Sequence, residues 1–223
     1  MSETKKSTRQ KIIDFAINYF NQEGYGAITI QELANKLEMS RGNLTYYFKT
    51  KDDLLEAIVT EMWEKIDKES SKRRSLPSFE NLHNMGKLQY HIQKQYSFIF
   101  LDQHVLRHPL VKEKFRQQTQ RHIEDNRAAL AFAIKLGNVK PEPMPGMYNN
   151  ISFITWMIPF YWLNQQVIRG EKTEEDAEKI LWSILLPHFT EKGINSFIKF
   201  FGKKYYESLG EPFTVDLDSF ITF

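Results

Sequence analysis

TIQELANKLEMSRGNLTYYF, Thr29–Phe48, is the stretch on which the fold turns. Thr29 is a helix-capping residue followed three positions later by Glu32, the spacing of a capping box. Ile30, Leu33, Ala34 and Leu37 then recur at helical intervals and form one buried face. Glu38-Met39 reads as a tight turn, and Ser40 as the cap of a second, short helix whose inward residues are Leu44 and Phe48. The stretch therefore predicts helix, turn and short helix. In a helix-turn-helix the second helix lies in the DNA major groove. With Leu44 and Phe48 inside, Arg41, Asn43, Thr45, Tyr46 and Tyr47 are left outside, and outside means toward DNA. Tyr supplies a rigid ring whose hydroxyl reaches a phosphate or a base edge.

The flanks extend the pattern. On the N-terminal side, Ser7 to Glu23 carries Ile12, Ile13, Ala16, Ile17, Tyr19 and Phe20 on one helical face, closed by Gly24-Tyr25-Gly26. On the C-terminal side, Thr50 caps a helix that opens with Asp52 and Asp53, where carboxylates suit the helix dipole. Lys51 at that helix start places a cation and backbone N–H groups where a phosphate could sit. Charge points the same way. Residues 1–51 hold eight Lys and Arg against five Asp and Glu, a net of +3, while the whole chain is +2, so the remainder is −1. A basic head on a near-neutral body suits a polyanion.

These residues resemble the DNA-binding domain of the tetracycline-repressor (TetR) family. The matching features are Ala16, Phe20 and Gly24-Tyr25, then Thr29 with Gln31-Glu32-Leu33-Ala34. Ser40-Arg41-Gly42-Asn43-Leu44, Tyr47-Phe48, Lys51 and Asp53-Leu54-Leu55 complete the block. The resemblance implies base-edge contacts from Gln31, Arg41, Asn43, Thr45 and Tyr46. It implies phosphate contacts from Thr29, Tyr47 and Lys51, with Ser40, Gly42 and Lys49 completing the DNA-facing set. Two departures stand out. Glu38 occupies a turn position where the family usually has Gly, and Thr45 a position where it usually has Tyr. The first costs a little backbone energy if φ is positive. The second should change which DNA sequence is read.

Beyond the head the chain reads as an all-α body. A polar stretch near 68–78 breaks the pattern. Long helices are then expected over 79–107 and 109–136. The Pro-rich segment Pro141–Gly146 is the clearest loop. An apolar helix over 148–168, a helix near 173–188 and another over 193–208 follow. The predicted domains are 1–52, the DNA-binding head, and 53–223, a helical body for ligand binding and dimerisation. The resemblance implies a homodimer formed by the last helices of the body, here 148–168 and 173–188. It also implies a small-molecule cavity. Tyr90, Gln103, His104, Trp156 and Tyr161 are its candidate lining, suited to an apolar or aromatic effector held by one or two hydrogen bonds.

The chain has 223 residues, 41% hydrophobic and 26% charged, and no Cys. Disulfides, thiolate metal sites and cysteine nucleophiles are excluded, and a reducing cytoplasm is expected. No signal core is visible, and Asn164, Gln165 and Gln166 cut the apolar run of 151–163 short of membrane length. His104 and His108, four apart, read as helix-end histidines rather than metal ligands. No phosphate loop or nucleophile elbow appears, so neither cofactor nor catalysis is expected. The competing reading is an all-α ligand carrier or enzyme whose head serves association only.

Overall fold

The computed structural model describes residues 7–71, 77–170 and 177–210. Among them every regular element is helical, and one isolated bridge pairs Val139 with Phe189. The first four helices are α1 (Thr8–Glu23), α2 (Ile30–Lys36), α3 (Arg41–Tyr47) and α4 (Lys51–Ser71). Next come α5 (Phe79–Gln95), α6 (Ser97–Leu101), α7 (Gln103–Arg107) and α8 (Pro109–Lys135). The chain continues through α9 (Met147–Arg169), α10 (Glu178–Leu185), α11 (Glu191–Phe201) and α12 (Lys203–Glu207). Single 3-10 turns follow α10 and α12. The segment expected to be helical from 173 lies partly outside the described residues, as does the tail beyond 210.

Two compact units divide these helices. One holds 7–71, 88–118 and 163–170, and the other holds 77–87, 119–162 and 177–210. In the first, Ile12, Ile13, Ala16 and Phe20 of α1 and Leu33, Ala34 and Leu44 of the helix-turn-helix are all essentially inaccessible to water. Leu54, Leu55, Ile58, Val59 and Met62 add the inner face of α4. At roughly 1.5–3 kcal/mol per fully buried large apolar side chain, this interior is a main term set against the entropy of ordering the four helices.

The helix expected over 79–107 is three helices, and the breaks have identifiable causes. Tyr96 leaves helical geometry at φ −115° because its ring is wholly buried. Its hydroxyl lies 2.6 Å from the Lys65 ammonium and donates to Glu61 Oε1 at 3.3 Å. Asp102 then caps α7, its Oδ1 accepting from the His104 N–H at 2.8 Å. The first break is a tertiary effect. The second has a local signal, an Asp at a helix start, which the expectation of one helix over 79–107 passes over.

In the second unit the interior is aromatic. Phe79, Trp182, Phe197 and Phe201 pack with ring centroids 4.5–6.1 Å apart, mostly edge to face. Buried Glu178 accepts from the Trp182 indole N–H at 3.1 Å and lies 2.8 Å from His83 Nδ1. The start of α11 closes the end of α8. Thr190 N–H donates to the Asn138 carbonyl at 2.9 Å, Thr190 Oγ1 to the Gly137 carbonyl at 2.7 Å, and Lys192 Nζ to the Leu136 carbonyl at 2.7 Å. These donors satisfy the carbonyls of the turn that follows α8. The expected last helix, 193–208, is broken at Gly202, where φ is +90°.

Candidate nucleic-acid interface

Local hydrogen bonds fix the helix-turn-helix. Thr29 and Glu32 form the full capping box: Thr29 Oγ1 accepts from Glu32 N–H, while Glu32 Oε2 accepts from Thr29 N–H at 2.7 Å. The same carboxylate also accepts from the Thr29 hydroxyl at 2.8 Å, and these bonds hold the Glu32 carboxyl below its ordinary pKa. α2 ends in a Schellman motif, with Met39 N–H donating to the Ala34 carbonyl and Glu38 N–H to the Asn35 carbonyl, each at 3.1 Å. Glu38 sits there at φ +53°, the only non-glycine in left-handed geometry among the described residues. A side chain in that geometry costs about 1 kcal/mol. The bends of the chain thus follow the sequence reading, including the strained turn. Ser40 Oγ accepts from Asn43 N–H at 3.1 Å and starts α3. Thr50 and Asp53 start α4 reciprocally, at 3.0 and 2.9 Å.

On this frame α3 presents two faces. Leu44 is fully buried, and Phe48 is buried with the Arg9 guanidinium 5.1 Å above its ring. Arg41, Gly42, Asn43 and Tyr46 are exposed, Tyr46 to 83%, with its ring edge-on to Tyr47 at 5.2 Å. The side chains of Arg41, Asn43, Tyr46 and Lys49 form no hydrogen bond or ion pair with another described residue. They are uncommitted donors at the protein surface. Thr45 differs, because its hydroxyl is turned back onto the Arg41 and Gly42 carbonyls at 3.0 and 3.2 Å. Gln31 donates to Asn35 Oδ1 at 2.9 Å, which adds Asn35, absent from the sequence reading, to the exposed polar surface of α2. Thr29, expected at a phosphate, has its hydroxyl engaged by Glu32.

Lys51 is placed differently from the expectation of a phosphate contact. Its ammonium donates to the Tyr25 and Ile28 carbonyls at 2.9 and 2.8 Å and lies 4.1 Å from the centre of the Tyr25 ring. Desolvation lowers its pKa. The physical reason is that the 24–28 loop turns its carbonyls inward with no helical donor to meet them. Lys51→Met should therefore lower stability by about 1–2 kcal/mol and leave the salt dependence of DNA binding unchanged. Thermal melting and the slope of log affinity against log salt check this. A slope reduced by about 0.9 would restore the phosphate contact.

Sequence spacing could not reveal what lies behind the loop. Tyr25 donates to Asp52 Oδ1 at 2.7 Å, and His108 Nε2 lies 3.4 Å from Asp52 Oδ2. Burial and the Asp52 carboxylate push the Tyr25 hydroxyl pKa up, and the Tyr25 bond holds the Asp52 carboxyl down. Asn21 donates to the Gln95 carbonyl and accepts from Phe98 N–H, both at 2.9 Å, and the Phe98 ring packs on Phe20 at 5.3 Å. The head is thereby tied to residues 95–108.

Residues 12–58 match the family described as bacterial regulatory proteins, tetR family, and residues 51–197 match a bacterial transcriptional repressor family also named TetR. The chain belongs to the TetR family. The helix-turn-helix is accordingly the DNA-binding element of a TetR-family transcriptional regulator. The head is 38% identical over 60 residues to the probable HTH-type transcriptional regulator YttP of Bacillus subtilis (strain 168), covering 27% of this chain and 29% of that protein. It is 36% identical over 59 residues to the HTH-type transcriptional regulator AcrR of Shigella flexneri, covering 26% of each. The chain thus matches between a quarter and a third of the length of these relatives. The fold as a whole is similar to that of a TetR-family regulator from Marinobacter aquaeolei VT8, with a TM-score of 0.73 at 22% identity over 90% of this chain and 99% of that one.

The candidate effector residues are distributed over both units. In the first, Tyr90 is buried with its hydroxyl 3.4 Å from Gln166 Oε1, whereas Gln103 and His104 are exposed on the short helix α7. In the second, Trp156 is half-buried between the rings of Phe153 and Phe160, and Tyr161 is 46% exposed. No helix among the described residues is long and apolar enough to cross a membrane.

Proposed function

We propose that this TetR-family chain is a homodimeric, ligand-responsive repressor that binds a palindromic operator through residues 1–52. Residues 53–223 would serve dimerisation and effector binding, without catalysis and in the cytoplasm. The observation that carries the reading is the exposed row of uncommitted donors on α3, Arg41, Asn43 and Tyr46, seated over a sealed core. Such groups break no hydrogen bond within the protein when they turn toward base edges, and the caps at Ser40 and Thr50 hold the helix in place to do it. Arg to guanine is the commonest specific contact. Arg41→Ala should relax preference at one base pair per half-site by about 1–3 kcal/mol. Competition between operator variants measures it, and a uniform loss across variants would instead make Arg41 a phosphate contact.

Dimerisation is supported by α9. Phe153, Met157 and Tyr161 are exposed to between 36% and 47%, and at 100° per residue they share one stripe roughly 80° wide. Such a stripe suits a second copy of the same helix. Two copies would set two α3 helices into successive major grooves, about 34–36 Å apart. An effector that altered that separation would lower DNA affinity, and the ties of Asn21 and Asp52 to residues 95–108 offer a route for it. Tyr90, Gln103 and His104 of the first unit, and Trp156 and Tyr161 of the second, remain proposals residue by residue for contacts to an apolar or aromatic molecule.

A gel shift against the protein's own upstream DNA tests the proposal. The expected result is a salt-sensitive complex that resists scrambled competitor duplex. Equal binding to scrambled duplex, or none, would favour the ligand-carrier reading.

A further inference from the structure

On the DNA face of α3, two residues carry features that the fold itself does not need. Gly42 is helical and not in left-handed geometry, so no backbone demand selects glycine there. No packing demand does so either, since an added Cβ would meet nothing closer than Ser40 Oγ at 4.0 Å. Glycine inside a helix is nonetheless destabilising relative to alanine. Its remaining use is to let another molecule approach the helix backbone. One turn on, Thr45 has spent its single hydroxyl proton on the Arg41 and Gly42 carbonyls. A threonine bonded back in this way turns its hydroxyl onto the preceding turn and leaves its methyl group outward. Residues three apart on a helix are neighbours. Gly42 and Thr45 therefore make a shallow apolar notch, beside Arg41, on a surface otherwise rich in donors.

We infer that this notch reads the 5-methyl group of a thymine, with Thr45 a specificity-determining residue that acts through its methyl and not its hydroxyl. The inference rests on the DNA-binding reading above. Thymine is the one base that carries a methyl group into the major groove, and a threonine methyl is a fitting apolar partner for it. Neither the acceptors of guanine nor those of adenine gain a donor from a hydroxyl already engaged with the backbone. The short side chain needs close approach, which the missing side chain at Gly42 permits.

The test begins with sequences selected by the full-length protein from random duplexes, followed by duplexes in which each thymine of a half-site is replaced singly by deoxyuridine. Loss of one buried methyl should weaken binding about fourfold at one position per half-site. Thr45→Val keeps the methyl and should keep that sensitivity. Thr45→Ser keeps the hydroxyl and should abolish it. Gly42→Ala should fill the notch, weakening operator binding while leaving the melting temperature equal or higher, an outcome that misfolding would not give. A sequence-selective protein insensitive to deoxyuridine at every position overturns the inference alone. So does a Thr45→Ser variant with undiminished sensitivity. A protein that selects no sequence overturns the DNA-binding reading and this inference with it.

Discussion

Met157→Glu should convert the protein to a monomer and abolish operator binding. Met157 stands in the middle of the exposed apolar stripe of α9, flanked four residues away on each side by Phe153 and Tyr161. In a two-fold interface one substitution introduces two charges, because the same patch faces itself. Each unpaired carboxylate taken out of water costs at least about 2 kcal/mol. A total of about 4 kcal/mol corresponds to a dimer roughly a thousandfold weaker. Operator affinity should fall with it, since a single head loses the second half-site and its effective concentration. The substituted position is exposed in the isolated chain, so the helical circular dichroism signal should be unchanged. Sedimentation equilibrium and a gel shift on the same preparation check both parts. A folded Met157→Glu dimer with undiminished affinity would place the dimer interface elsewhere.

A second substitution should act on stability alone. Gly193 begins the second half of the first turn of α11, where the helix lies directly on the 137–139 turn. A Cβ there would overlap the Asn138 carbonyl oxygen, lie 2.9 Å from its carbon and stand 3.1 Å from the Phe189 ring. The neighbour cannot withdraw, because the Thr190 and Lys192 bonds pin this turn to α11. Backbone overlap belongs at or above the upper end of the usual 1–3 kcal/mol for overpacking, offset by about 1 kcal/mol of helix propensity. Gly193→Ala should therefore destabilise by about 2–3 kcal/mol and lower the melting temperature by roughly 5–10 °C. Gly86→Ala is the control, since α5 leaves open space around that Cβ. It should stabilise slightly, by about 0.5–1 kcal/mol. Equal melting temperatures for the two variants would contradict the close packing at Gly193.

What could be read from the sequence follows the range of the interactions involved. The head was legible because its determinants are local. Ser7, Thr29, Ser40 and Thr50 each cap a helix with a group three residues away, and Leu33, Ala34 and Leu44 mark the buried face by periodicity alone. The departure at Glu38 is visible too, though not the sign of its φ, which the structure places at +53°. Elements set by distant partners were not legible. The end of α5 depends on Tyr96 meeting Lys65 and Glu61 of α4, thirty-one and thirty-five residues away. Lys51 looked like a phosphate ligand by position, and its turn inward depends on the carbonyls of Tyr25 and Ile28. By position His108 is a helix-end residue, and its place against Asp52 joins segments fifty-six positions apart. Thr45 was identified as a departure, but which of its two branches faces outward is a rotamer, and no sequence pattern encodes that.

Two copies of this chain are proposed to read two half-sites of one duplex. Sedimentation velocity on a labelled duplex recovered by selection from random sequence measures it directly. The expected result is a complex of two chains per duplex that requires an inverted repeat with half-site centres about one helical turn apart, lost when either half is scrambled. One chain bound per duplex with full affinity, or undiminished binding after either half-site is scrambled, would contradict it.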